Sequence, residues 1–243
     1  MTGRLLETRV LRGRTRTILV CVFLTISTTG TSRRPATDLG VLLHKDPGRV
    51  QRFSTAHGTA YVFFPEAGEE RCTAALLLEP GRAAHGTVND RPYAASSSLA
   101  VALGNVFASA LQGRCAGRPE LVDERRPLRV EVPVLPAHRG PDLPERLFAP
   151  LGWTVTTRPL APHGQRLPYV SLLLEGEQRL TDALRHLHVL LPVPDDAPGT
   201  CRPAEHETAA LLRSGEGWLD GHPEERLVTD ALHSTARKDA APA

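Results

Sequence analysis

Lysine is almost missing from this chain. Of its 29 basic residues only Lys45 and Lys238 are lysine, and arginine supplies the rest of the positive charge. The 27 acidic residues nearly cancel it, leaving a net charge of +2, so no global field draws the protein to nucleic acid. Cysteine is sparse as well. Cys21, Cys72, Cys115 and Cys201 stand far apart with no C-x-x-C pair. That spacing argues against a zinc site or a disulfide framework and for a reducing compartment. There is no G-x-x-x-x-G-K-[ST] and no G-x-S-x-G, so neither a phosphate loop nor a nucleophile elbow is written in the chain. The apolar run from Ile18 to Ile26 follows Arg4, Arg9, Arg12, Arg14 and Arg16 and imitates a signal peptide. Glu7 interrupts the basic stretch, however, and no A-x-A cleavage site follows. The run is also far short of the roughly 20 residues that a helix needs to cross a bilayer.

What is present is a globular composition. Length (243 residues) and hydrophobic content (41%) suffice for one large domain or two small ones. Residues 1–21 read as an extension, expected to be disordered, and Val22 opens the first strand. Leu39, Leu42 and Leu43 form the stripe of a short helix opened by Pro35-Ala36-Thr37-Asp38 and stopped by Pro47-Gly48. Thr59–Phe64 and Cys72–Leu78 read as a hairpin around the charged turn Glu66–Arg71. The stretch from Val88 to Leu111 begins as the polar loop Asn89-Asp90-Arg91-Pro92-Tyr93. It continues as a helix with Leu99, Leu103, Val106, Phe107, Ala110 and Leu111 on one face, and Ser96, Ser97 and Ser98 are its candidate N-caps.

From Leu128 the order begins again. Arg129–Leu135 is a strand, and Asp142 can cap a short helix carrying Leu143 and Leu147, whose end near Pro150 is open. Trp153–Arg158 and Pro168–Glu175 are strands. Leu180, Leu184, Leu187, His188 and Leu191 form a second strong helical stripe. The expected fold is therefore α+β: two pseudo-repeated β-α-β-β-α units whose hairpins build an antiparallel or mixed sheet with helices packed on it. The domain spans 22–193, with halves 22–115 and 128–193. Residues 194–233 form a linker and short helices, and 234–243 a disordered tail.

The candidate chemistry is thin. His186 and His188 form H-x-H, but on a helix residues two apart diverge, which places His188 in the stripe and His186 toward solvent. Asp195-Asp196 suits a solvated linker better than a cation site. Gly215-Glu216-Gly217 superficially resembles a methyltransferase cofactor loop, but the helical pattern of Thr208–Leu212 precedes it where a buried strand is required. Basic residues bracket the first helix: Arg33, Arg34, His44, Lys45 and Arg49, with Arg91 before the second. They can contact RNA phosphates or form a solvated helix end favoured by the dipole.

Five separated blocks carry a family resemblance: FLTISTTGT at 23–31, PATDLGVLLHKDPGRVQRF at 35–53, YVFFPEAGEERCTAALLLE at 61–79, VNDRPYAASSSLAVAL at 88–103 and LLRSGEGWLDGHPEERLV at 211–228. Their identity and order resemble the N-terminal half of bacterial Hen-type 3′-terminal RNA ribose 2′-O-methyltransferases. The resemblance implies a cytoplasmic RNA repair protein. Its N-terminal domain binds and activates a partner polynucleotide kinase–phosphatase–ligase, with no membrane partner. Its C-terminal domain methylates the terminal 2′-hydroxyl with S-adenosylmethionine and a divalent metal such as Mn or Mg. The chain is expected to stop before that domain, to hold neither cofactor and to have no catalytic activity alone. The alternative is a methyltransferase component active only with a separately encoded C-terminal domain. Candidate partner or RNA surface residues are Asn89, Asp90, Arg91, Tyr93, His44, Lys45 and Arg49.

Overall fold

The computed structural model describes residues 22–80, 95–161, 167–195 and 205–233. Its strands are β1 (Val22–Thr29), β2 (Gln51–Thr55), β3 (Gly58–Ala67), β4 (Arg71–Pro80), β5 (Arg125–Pro136), β6 (Thr154–Pro159) and β7 (Tyr169–Arg179). The helices are α1 (Asp38–Leu43), α2 (Ala95–Val106), α3 (Ala108–Leu111), α4 (Leu143–Phe148), α5 (Leu180–Leu190), α6 (Glu205–Gly215) and α7 (Glu225–His233). The strands form one sheet in the order β2-β3-β4-β1-β5-β7-β6, and every ladder in it is antiparallel.

This order is the expected repeat made visible. β1 and β5 pair at the centre, with Ile26 opposite Val130. Outward from β1 lie β4 and β3, and outward from β5 lie β7 and β6, so the two hairpins are related by an approximate twofold between β1 and β5. α1 and α4 occupy matching places in chain order, as do α2 and α5. The first unit also carries β2, which the sequence reading misses. β2 is a short edge strand whose one large apolar side chain is Phe53, too little for an alternation signal.

Alternation fixes which face is covered. In β1, Val22, Leu24, Ile26 and Thr28 are buried, whereas Phe23, Thr25 and Ser27 are only partly covered. β5 buries Leu128, Val130 and Val132 on the same side. The helices lie against that side, and Leu39, Leu43, Leu99, Leu103, Leu184 and Leu187 are fully buried there. Leu211, Val228 and Leu232 from α6 and α7 join the same core. Burying such a leucine contributes about 2 kcal/mol, so the helical stripes hold the layers together.

At three helix ends the structure refines the expectations: Asp142 holds the N-cap position of α4 and α4 ends at Phe148, before Pro150, whereas the serine caps are corrected. Ser96, Ser97 and Ser98 lie inside α2, and Ser96 and Ser97 are buried in its first turn rather than capping it. The Asp142 side chain makes no cap bond to α4; it faces Arg146 at 3.8 Å, with Pro144 providing the helix start. Pro150 sits in a short 3-10 turn, Ala149–Leu151, that ends at Gly152 with φ +82°. Among the described residues no helix is long and apolar enough to cross a membrane.

Candidate functional site

The basic cluster on α1 divides into two places. Arg33 and Arg34 precede the helix, and Arg34 donates to the Arg125 carbonyl at 3.4 Å. Behind them lies a buried ion cluster: Arg126 donates to Asp38 at 2.9 Å, to Glu124 at 3.0 Å and to the Pro35 carbonyl at 3.3 Å. Such a cluster ties α1 to β5 and is structural, because the buried Arg126 and Asp38 are paired with each other, although Arg126 Nε is left without a partner among the described residues.

The other end of α1 is different. His44 has φ +55°, the only positive φ at a non-glycine among the described residues. Holding a side chain in this left-handed region costs about 1 kcal/mol. The geometry turns the chain sharply, so that the Lys45 N–H returns to the Gly40 carbonyl at 2.9 Å. A Cβ on Gly40 would meet Pro47 Cγ at 2.8 Å, so the turn folds closely onto the helix. The imidazole Nε2 of His44 bonds the Arg114 carbonyl at 2.5 Å and joins the segment after α3 to this turn.

Lys45 is half-buried there. Its ammonium lies 4.9 Å from the Phe53 ring centre and 5.7 Å from that of Phe107, and it donates to the His44 carbonyl at 3.3 Å. Burial pushes its pKa below the ordinary lysine value. The nearest carboxylate in sequence, Asp46, is engaged elsewhere: it accepts from the Gly48 N–H at 2.9 Å and pairs with Arg49 at 3.2 Å. Of the residues singled out from sequence, the structure thus brings His44, Lys45 and Arg49 into one turn. Asn89, Asp90, Arg91 and Tyr93 lie outside the described residues. Sequence reasoning missed Phe53, Phe107 and Arg114 as parts of this place, because their proximity depends on β2 and on the segment after α3.

Two other polar regions offer less. The uncovered face of the sheet holds a groove of about 680 Å³ lined by hydroxyls and charges. Most of its charges are paired: Arg129 reaches Glu131 at 2.7 Å and Glu175 at 2.8 Å, and Ser27 bonds Thr73 at 3.0 Å. The second region is the H-x-H pair, where the expectation of a solvent-facing His186 is corrected. Both histidines are buried in the contact between α5 and the C-terminal helices. Trp153 Nε1 donates to His186 Nδ1 at 3.2 Å, and His188 Nδ1 is 2.8 Å from Ser214 Oγ. Burial pulls both pKa values down to about 4, so near neutral pH the pair is uncharged. Gly104 in α2 makes the space: a Cβ there would lie 2.5 Å from His188 Nε2.

Among the described residues no group of three or more His, Cys, Asp or Glu can hold a metal ion. Cys72 is buried and its thiol is pushed up to about 11, well away from a thiolate nucleophile. The described residues therefore do not fit a divalent metal, and none is assigned to one.

The fold places the chain in a class first. Chains of two solved structures share it: the Pnkp1/Rnl/Hen1 RNA repair complex at TM-score 0.57 and 16% identity, and a Pnkp1/Rnl/Hen1 complex at TM-score 0.53 and 14% identity. In each case 79% of this chain is covered, and it spans 47% of the other chain's length. The likeness is one of fold, and it puts the chain in the class of α+β domains built on a single antiparallel sheet. Residues 22–241 match the family described as the RNA repair, ligase-Pnkp-associating, region of Hen1, and the chain belongs to that family. No curated protein matches it.

Proposed function

We propose that this chain is a docking domain of RNA repair: it binds a bacterial-type polynucleotide kinase–phosphatase–ligase and raises its ligase activity. The observation that carries the reading is the family match, which runs from the first residue of β1 through α7 and so takes in the whole described sheet and its helices. The likeness of fold to chains of the Pnkp1/Rnl/Hen1 complexes supports it. The turn at His44–Arg49 supplies a rigid, charged surface of the kind a binding domain needs. In this reading, methyl transfer with S-adenosylmethionine and a divalent metal belongs to a different region of the family's proteins, and the setting is cytoplasmic. The test is to mix the purified chain with a purified kinase–phosphatase–ligase and follow the mixture by sedimentation. A stable complex is expected, and two independently sedimenting species would refute the proposal.

A further inference from the structure

Lys45 is the only lysine among the described residues of a chain that otherwise uses arginine. The two cations are not equivalent: an ammonium is a compact point charge, whereas a guanidinium is a wide planar fork. Between the Phe53 and Phe107 rings the compact head is held in place, partly stripped of water, and among the described residues its hydrogen-bond partner is a backbone carbonyl. No ion pair reaches it within 4.0 Å among the described residues, and Asp46 is turned toward Arg49 and Gly48. Arg114, brought alongside through the His44 bond to its carbonyl, is exposed and also lacks an ion pair there.

Two exposed apolar side chains flank this turn in the chain. Val41 is 41% exposed and Val50 is 65% exposed, two of the four large hydrophobic side chains left open among the described residues. Val41 lies on the same turn of α1 as His44, and its carbonyl meets Cys115 Sγ at 3.9 Å, next to Arg114. The backbone is set before any partner arrives, at the conformational cost already noted for His44. A strained, preorganised turn with an unneutralised, partly desolvated cation and bare valines is what a protein interface uses to avoid ordering costs on binding.

We infer that the corner formed by Val41, His44, Lys45, Val50 and Arg114 docks a carboxylate-bearing, partly apolar segment of the partner protein, with the Lys45 ammonium as its charged anchor. The inference rests on the ligase-associating reading and deepens it. Charge complementarity selects an acidic occupant. The valines favour a polypeptide over RNA, because a phosphate backbone offers them no apolar partner. RNA affinity also grows by adding phosphate contacts, and this corner holds only two cations without a carboxylate partner.

The test measures affinity for the purified kinase–phosphatase–ligase by calorimetry, with a single-stranded RNA oligonucleotide as the second probe. Lys45→Glu is expected to weaken ligase binding about 30-fold or more, Arg114→Glu and Val50→Asp about tenfold, and Arg158→Glu on the far edge strand β6 not at all. Arg114 and Val50 are exposed, so their variants keep the test valid even if Lys45→Glu unfolds. Tight binding by the wild type with less than a twofold change in Lys45→Glu and Arg114→Glu would overturn the surface and leave the function standing. Absence of binding by the wild type itself would remove the function and the surface together. Loss of RNA binding in Lys45→Glu, with ligase binding unchanged, would assign the corner to nucleic acid and overturn the inference.

Discussion

At the scale of single residues, the buried histidines give the most constrained expectations. His186 and His188 are neutral in the fold because burial lowers their pKa to about 4, whereas an unfolded chain protonates them near 6.5. Below that value the unfolded state binds more protons, so stability is complete above about pH 6.5 and falls as pH drops toward 4. Urea midpoints are expected to decline steadily between pH 7 and pH 5, with a shallower decline in a His188→Gln variant. A midpoint that stays level over that range would contradict the assignment. Gly104 tests the same packing from the other side. Its added Cβ would sit 2.5 Å from His188 Nε2, and Gly104→Ala is expected to cost about 2 kcal/mol as an overpacked site. Thermal melting should then fall by about 4–8 °C for a protein of this size, although alanine is otherwise the better helix former. The H-x-H pattern was legible in sequence but its environment was not. The divergence of positions i and i+2 predicts one exposed histidine, whereas α6 and the Trp218 ring cover the second side of α5. The Trp218 ring stands edge-on to His186 at 4.9 Å, a contact with a residue 32 positions away.

At the scale of elements, α1 is a six-residue helix too short to persist alone. It is held at its start by Asp38 against the buried Arg126 and at its end by the His44 turn. Asp38→Asn leaves the Arg126 guanidinium less compensated in a buried place, and a cost of about 3 kcal/mol is expected. Amide hydrogen exchange across Leu39–Leu43 should accelerate together with this loss, since the helix has no stability of its own to fall back on. Unchanged protection would show that the ion cluster contributes little. The stripe Leu39, Leu42 and Leu43 identified α1 correctly, as did the stripes of α2 and α5, because each stripe packs on the sheet even where, as in α2 and α5, other faces of the helix are buried as well. β2 escaped because an edge strand with one inward Phe53 has no alternation to show. The cap at Ser96–Ser98 was misplaced because cap chemistry is only a preference; Asp142 does hold the N-cap position of α4, but Pro144 opens that helix without any side-chain bond.

At the scale of the whole molecule, two hairpin units meet at β1 and β5 and share one core with the C-terminal helices. The order of elements was readable from the sequence because each unit repeats the same alternation and stripe. The pairing of β1 with β5 was not, since nothing local specifies which strands of two similar units adjoin. The same holds for the binding corner: His44, Lys45 and Arg49 stand out as basic residues, but Phe53, Phe107 and Arg114 join them only after β2 and α3 are in place. The fold ties the corner down through the His44 and Lys45 hydrogen bonds and the family match spans it, which together make the molecule a docking domain in our account. The most direct test of that account is auto-adenylylation of the purified kinase–phosphatase–ligase as this chain is titrated against it. A saturable rise in adenylylated ligase, reaching its plateau near stoichiometric addition, is predicted; a rate that stays flat across the titration, with the chain shown to be folded, would contradict it.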